Sequence, residues 1–244
     1  MAEFDGIEEK LIRANQNIRN LDVEISRFFQ KSKYPVLPEH DRELLLEAIQ
    51  YHKQLAIPLR FSVLSGEIIH HLRSCLDHLI WQFSTPESRL KHFIEIEFPI
   101  FNHEPIKEKQ IARYEGKIQG ITDPRGRDLI KRLQPYNSPD FVDYSLSILH
   151  HMDIVDKHRE LVLTHGTGSR MFPAAMRPIV ESYQRAHPEI TPAEIAVKFK
   201  PYGQLVPQIS FTDFGRREIE PVAQGLVELY NSVVKVVGQF RELG

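Results

Sequence analysis

Gly66-Glu-Ile-Ile-His-His-Leu-Arg-Ser-Cys-Leu-Asp-His-Leu-Ile-Trp81 is the stretch on which the reading of this chain turns. At about 100° per residue, Ile68, Leu72, Cys75, Leu76, Leu79 and then Phe83 collect on one side. Glu67, His70, His71, Arg73, Ser74, Asp77, His78 and Trp81 fall on the other. The spacing predicts one long helix from Leu59 to Phe83, closed by Thr85-Pro86. An ordinary solvated face is built from Lys, Glu and Gln, which favour the helix. This face instead carries three histidines, a serine and an aspartate. Histidine is the side chain best suited to proton transfer near neutral pH. His70, Arg73 and Asp77 lie almost in line, and Arg73 and Asp77, four apart, are spaced for an ion pair.

Outward from that helix the chain reads as mainly α. Ile7, Leu11, Ile18, Leu21, Ile25 and Phe28 mark a first helix from Ile7 to Phe29, broken at Ser32–Pro38. Asp41 is placed to cap a second helix running through Ile49 to Ala56. Residues His92 to Phe101 alternate Ile94, Ile96, Phe98 and Ile100 with polar positions, which predicts a short edge strand. Pro105 and Asp123-Pro124 read as helix starts, and Pro139-Asp140 opens a helix that runs toward Leu161. After Thr164 the texture changes: His165-Gly-Thr-Gly-Ser169 reads as a loop, followed by a proline-punctuated stretch. Ala193–Lys200 and Leu205–Phe214 alternate and predict a β-hairpin, with Pro207 at an edge. Val222, Leu226, Leu229, Val233, Val236 and Phe240 mark a final helix within Glu218–Leu243.

The expected fold is therefore a helical bundle with a small β-hairpin inserted before the C-terminal helix. The expected organisation is a single domain over residues 1–244. It has a helical core (1–163), a Pro-rich connector (164–192), the hairpin (193–214) and the last helix (215–244).

The bulk composition narrows the function classes. The 244 residues are 41% hydrophobic and 26% charged, with a formal net charge of -2. That is ordinary globular material with no global pull toward nucleic acid or anionic membrane, so any anion binding must be local. One cysteine, Cys75, excludes an internal disulfide framework and a CxxC zinc site. No apolar run is long enough to cross a bilayer, and the N-terminal residues lack a basic leader and an apolar core, so no membrane association and a cytoplasmic location are expected.

A second cluster lies in Leu149-His-His-Met-Asp-Ile-Val-Asp-Lys-His-Arg159. It is expected to end a helix, with Asp153, Asp156 and His158 placed to pack opposite the Arg73–His78 face.

Arg73-Ser-Cys-Leu-Asp-His78 is an R-x4-H motif inside a long helix, and it resembles the signature of the HEPN superfamily of nucleotide- and RNA-binding helical domains. Many members of that superfamily are metal-independent endoribonucleases of toxin–antitoxin and antiviral defence systems that dimerise through their motifs. The resemblance implies RNA as ligand, a homodimer, a protein partner or antitoxin, and no cofactor. It assigns Arg73 and His78 to catalysis, with Ser74 at the polar position where Asn is more typical. Asp77 would orient Arg73 or a histidine, with His70, His71 and Glu67 in support. Leu72–Leu79 together with Asp156-Lys-His-Arg159 is also similar to bacterial proteins of unknown function.

Such a nuclease needs a base for the ribose 2′-OH, an acid for the leaving oxygen and a cation for phosphorane charge. Two readings compete. In one, His70, Asp77, Asp153 and His158 hold a divalent metal between helices, although no HExxH or ExxH motif is present and Arg73 would repel a cation. In the other, the bundle is a non-catalytic dimerisation or interaction protein.

Overall fold

The computed structural model describes residues 4–32, 37–38, 56–139, 144–158, 164–171, 176–191, 194–195, 198–199, 204–211 and 221–243. Eight helices and three strands are present among them: α1 (Asp5–Lys31), β1 (Leu37–Pro38), α2 (Leu59–Phe83), α3 (Pro86–Lys91), α4 (Glu108–Ile118), α5 (Pro124–Arg132), α6 (Ser145–His158), β2 (Thr164–Met171), α7 (Arg177–Ala186), β3 (Gln204–Phe211) and α8 (Val222–Arg241). A 3-10 turn, Pro135–Asn137, follows α5. The chain is mainly helical with a strand before its last helix, as the periodicities predict. The helix expected between Asp41 and Ala56 falls almost wholly outside the described residues.

Where one domain was expected, the chain divides into two compact units. The first comprises residues 1–22, 59–163 and 211–244. In it α2 packs against α6 and α8, and those two pack against each other. Ile68, Ile69, Leu72, Cys75, Leu76, Leu79 and Ile80 of α2 are fully buried. Burial also takes Ser62, Ser65, Gly66 and Arg73. This helix is therefore covered on most of its circumference, not along one stripe. On α1 the register matches the expected one except at its end, where Phe29 is buried and Phe28 is half-buried. Four rings meet edge to face: Phe4 on Phe83 at 6.2 Å, Phe83 on Phe240 at 5.2 Å, and Phe240 on Phe98 at 6.5 Å.

Phe98 belongs to the segment expected as an edge strand over His92–Phe101, and this expectation is corrected. Residues 93–95 form a turn and 96–100 join no ladder. Side chains take the partner strand's place. Arg73 Nη2 donates to the Phe98 carbonyl at 2.8 Å, while Asp77 Oδ1 accepts the Phe98 N–H at 2.9 Å. Gln134, 1% exposed, donates to the Pro99 carbonyl at 2.9 Å and accepts the Phe101 N–H at 3.0 Å. Backbone groups buried away from water must be paired, but nothing requires that the partners be backbone. Alternation reported a buried extended segment and could not report what would satisfy it.

Helix starts follow local capping chemistry. Asp123 accepts the Arg125 N–H at 2.8 Å with Pro124 in the first turn, as expected. Thr85 does more than close α2: its Oγ1 accepts the Ser88 N–H and opens α3. The start expected at Pro105 lies three residues later, at Glu108, where Lys107 N donates to the Gln110 side chain.

The second unit comprises residues 23–58 and 164–210. Its sheet has the order β1-β3-β2, with β1 antiparallel to β3 and Leu37 opposite Leu205. Three expectations are corrected here. The loop expected at His165–Ser169 is strand β2, and the 164–192 connector holds both β2 and α7. Glycine brings no side chain to reveal a period, yet its N–H and C=O pair like any others.

In the 193–214 hairpin the second arm is β3, but the first is helical at residues 194–195 and 198, with Phe199 N bonding to the Ile195 carbonyl at 3.0 Å. Thr191 N and Glu194 Oε2 lie 2.9 Å apart, and Glu194 N reaches Thr191 Oγ1 at 3.3 Å. That reciprocal pair is a capping box, and it overrides the two-residue alternation. Pro207 sits in the middle strand and not at an edge, beyond the two residues that β1 covers. Val180, Ile195 and Phe199 form a small core with Met176, Tyr183 and Ile190.

Replacing Gln134 by Ala should leave two backbone groups of the 99–101 segment without partners. The expected cost is about 2 kcal/mol in urea unfolding, with unchanged far-UV circular dichroism.

Candidate functional site

Because α2 is buried on most sides, its polar residues do not form one face. They divide between two flanks. One flank meets α6 and the 97–98 segment, and the other meets α1.

On the first flank lie Glu67, His70, Arg73 and Asp77, and of these only Arg73 is enclosed. Its side chain is 3% exposed. Nη1 lies 2.8 Å from Asp77 Oδ1 and Nη2 is spent on the Phe98 carbonyl. The in-line spacing is borne out in that His70 Nδ1 stands 3.5 Å from Asp153 Oδ1 of α6. Asp156, one turn further along α6, approaches so closely that a Cβ on Gly66 would stand 2.3 Å from its Oδ1. Gly66 is what lets the two helices come this near. The two sequence clusters thus meet through Asp153 and Asp156. Glu67 is exposed at the rim, and the side chain of His158 lies outside the described ones.

Two residues that the motif reading passed over complete this flank. Lys117, at the end of α4, pairs with Glu97 and also accepts the Glu97 N–H on its carbonyl. Burial, with repulsion from Arg73, pushes its ammonium down to about 8, against the attraction of Asp77. His150 of α6 is pushed down to about 4, first by burial and then by the cations Arg73 and Lys117; Asp153 opposes them. Its Nδ1 is buried without a hydrogen-bond partner. No sequence signal distinguished Lys117 from any basic residue in a last helical turn. His150 was visible only as half of a His-His pair.

The second flank carries His71, Ser74 and His78, at spacings of three and four. Cys75 Sγ donates to the Ile7 carbonyl at 3.8 Å, and burial pushes this thiol up to about 12, so it is a packing residue. His71 and Ser74 are half-buried and His78 is exposed. Both imidazoles lie below the ordinary histidine range, chiefly through burial and then through Lys10 of α1. Glu67 opposes the shift at His71, and Asp77 opposes it at His78. Both rings are therefore neutral at pH 7.

The structure thus brings together His70, Arg73, Asp77, Asp153 and Asp156 on one flank, and His71, Ser74 and His78 on the other. Within one chain it does not join Arg73 to His78. Helical geometry separates positions five apart by roughly 140°, and the buried ion pair fixes Arg73 on its own side. For the metal reading, the described residues hold no group of three or more His, Cys, Asp or Glu placed to bind an ion. Asp77, one of the four proposed ligands, is held by Arg73 and the Phe98 N–H.

The depressed His150 makes the fold acid-sensitive. Its folded value lies below the ordinary 6.5, so the unfolded chain binds the extra proton first. The associated stability is complete above about pH 6.5 and is lost as pH falls toward about 4. Urea unfolding across that window should show a slope approaching 1.4 kcal/mol per pH unit. His150→Gln should reduce the slope, leaving smaller contributions of the same sign from His71 and His78. No protein-family model, curated protein or solved structure matches the chain.

Proposed function

We propose that this chain is a HEPN-like RNA-binding protein that cleaves phosphodiesters without a metal ion, with His71 and His78 as its acid–base pair. The observation that carries the reading is the second flank of α2. Two neutral imidazoles there stand seven residues apart on one accessible stripe, with Ser74 between them. At 1.5 Å per residue their backbones are roughly 10 Å apart along the helix. That leaves room for a phosphodiester between the two rings.

One neutral imidazole takes the ribose 2′-OH proton, and the 2′-oxygen attacks phosphorus. The 5′-oxygen leaves with a proton from the other imidazole, giving a 2′,3′-cyclic phosphate and a free 5′-OH. The acid must be protonated at that moment. The incoming phosphate's own negative charge favours the imidazolium and supplies the shift. Arg73 acts as a positioning residue in this scheme: it fixes α2 to the 98 segment and does not touch the phosphate. Dimerisation through the same helix would set two such stripes side by side.

Purified protein incubated in EDTA with single-stranded and structured RNA should yield cyclic-phosphate ends. His71→Ala and His78→Ala should each lower the rate by about 10²- to 10⁴-fold. Wild-type protein that neither binds nor cuts any RNA in a broad panel would overturn the reading.

One observation favours a second reading, a non-catalytic interaction protein: the motif arginine is fully committed to holding the fold. Arg73→Ala should cost about 3 to 5 kcal/mol, because it strands Asp77 and a buried carbonyl. If that loss occurs while RNA has no effect on wild type, this second reading stands.

A further inference from the structure

The stripe lacks the cation that phosphoryl chemistry requires, because Arg73 is 3% exposed and doubly engaged. We infer that Lys10 of α1 is the phosphate-contacting cation of this site, standing where the motif would have placed an arginine. The inference rests on the RNA-cleavage reading of the same stripe and adds a residue from another helix to it.

The helix packing places Lys10. α1 and α2 run antiparallel, with Phe4 against Phe83 at 6.2 Å and the Ile7 carbonyl 3.8 Å from Cys75 Sγ. Ile7, Leu11 and Ala14 are buried in that contact, and Lys10 stands half-buried at its border, one turn past Ile7. One turn past Ile7 on an antiparallel helix is the level of His71 and Ser74. The field of Lys10 reaches both His71 and His78, and it is the one cation that acts on the pair. Arg13 and His70 act on His71 alone. A charge felt by both members of an i, i+7 pair lies between them, over Ser74. There it would meet the non-bridging oxygens of a phosphodiester whose two ends lie at the imidazoles. Among the described residues no hydrogen bond or ion pair occupies the Lys10 ammonium. The two histidines also keep their basicity low beside it, so an anion arriving over Ser74 is attracted by the lysine and then recruits a proton to one ring.

The test uses the full chain, histidine-ring NMR and two probes: inorganic phosphate and a non-cleavable 2′-O-methyl RNA oligonucleotide. In wild type, phosphate should raise the apparent pKa of His71 and His78. Lys10→Gln should raise the ligand-free pKa of His78, abolish the phosphate response and weaken oligonucleotide binding by about ten-fold or more. Lys10→Arg should keep binding, and Arg13→Gln should move His71 alone.

Wild type that binds but does not cut, with binding lost in Lys10→Gln, retains Lys10 and removes the nuclease. Wild type that cuts, with Lys10→Gln cutting and binding equally well, removes Lys10 and retains the nuclease. Histidines in wild type that respond to neither probe overturn both.

Discussion

The guanidinium of Arg73 is the constraint from which the first unit's arrangement follows. An arginine cannot shed its charge by deprotonation, so enclosing one demands acceptors with fixed geometry. Asp77 supplies charge, and the Phe98 carbonyl supplies a neutral acceptor. Asp77 also receives the Phe98 N–H, so the two side chains hold both polar groups of a single residue, as a neighbouring strand would. Phe98 is delivered into the core against Phe240, and the next residues are held by Gln134 in the same manner. A buried polar network of this kind adds little net stability but makes alternative packings costly, since any slip would strand several groups at once.

That constraint also explains why α2 has two chemistries. One flank is dry enough to hold a lysine near 8 and a histidine near 4, with Arg73, Lys117 and His70 each facing a carboxylate. Such a flank is a balanced frame. The other flank is more open and cationic, its imidazoles lying near a lysine. A group that is to meet a phosphate must be accessible and unspent, and only the α1-facing flank meets both conditions.

The helices were legible in sequence where an apolar period ran long: α1, α2 and α8 emerge from spacing alone, because burying a stripe against neighbours requires that spacing. Asp123-Pro124 was legible because capping is local. What failed was whatever depended on partners distant in sequence. Residues 96–101 alternate as a strand does, but the groups that complete them come from Arg73, Asp77 and Gln134. Thr191 and Glu194 carried a capping signature that the stronger alternation around Ile195 and Phe199 obscured. At the candidate site the polar residues of α2 were visible individually, and the meeting of Asp153 with His70 was anticipated. The division into two flanks was not, since the angular position of Arg73 shows its distance from His78 but not that a carbonyl would claim it.

The four-ring contact joins the beginning of α1 to the end of α8, and Glu8 pairs with Arg241 beside it. A ribosome delivers these two helices at opposite ends of its task. Until α8 has emerged, α2 lacks one of its two main supports, and its apolar surface must wait, exposed, for a segment more than a hundred residues downstream. Closing so long a loop makes the search slow relative to the growth of each helix. This unit is therefore expected to depend on protection from aggregation during synthesis, and to mature only after release of the finished chain.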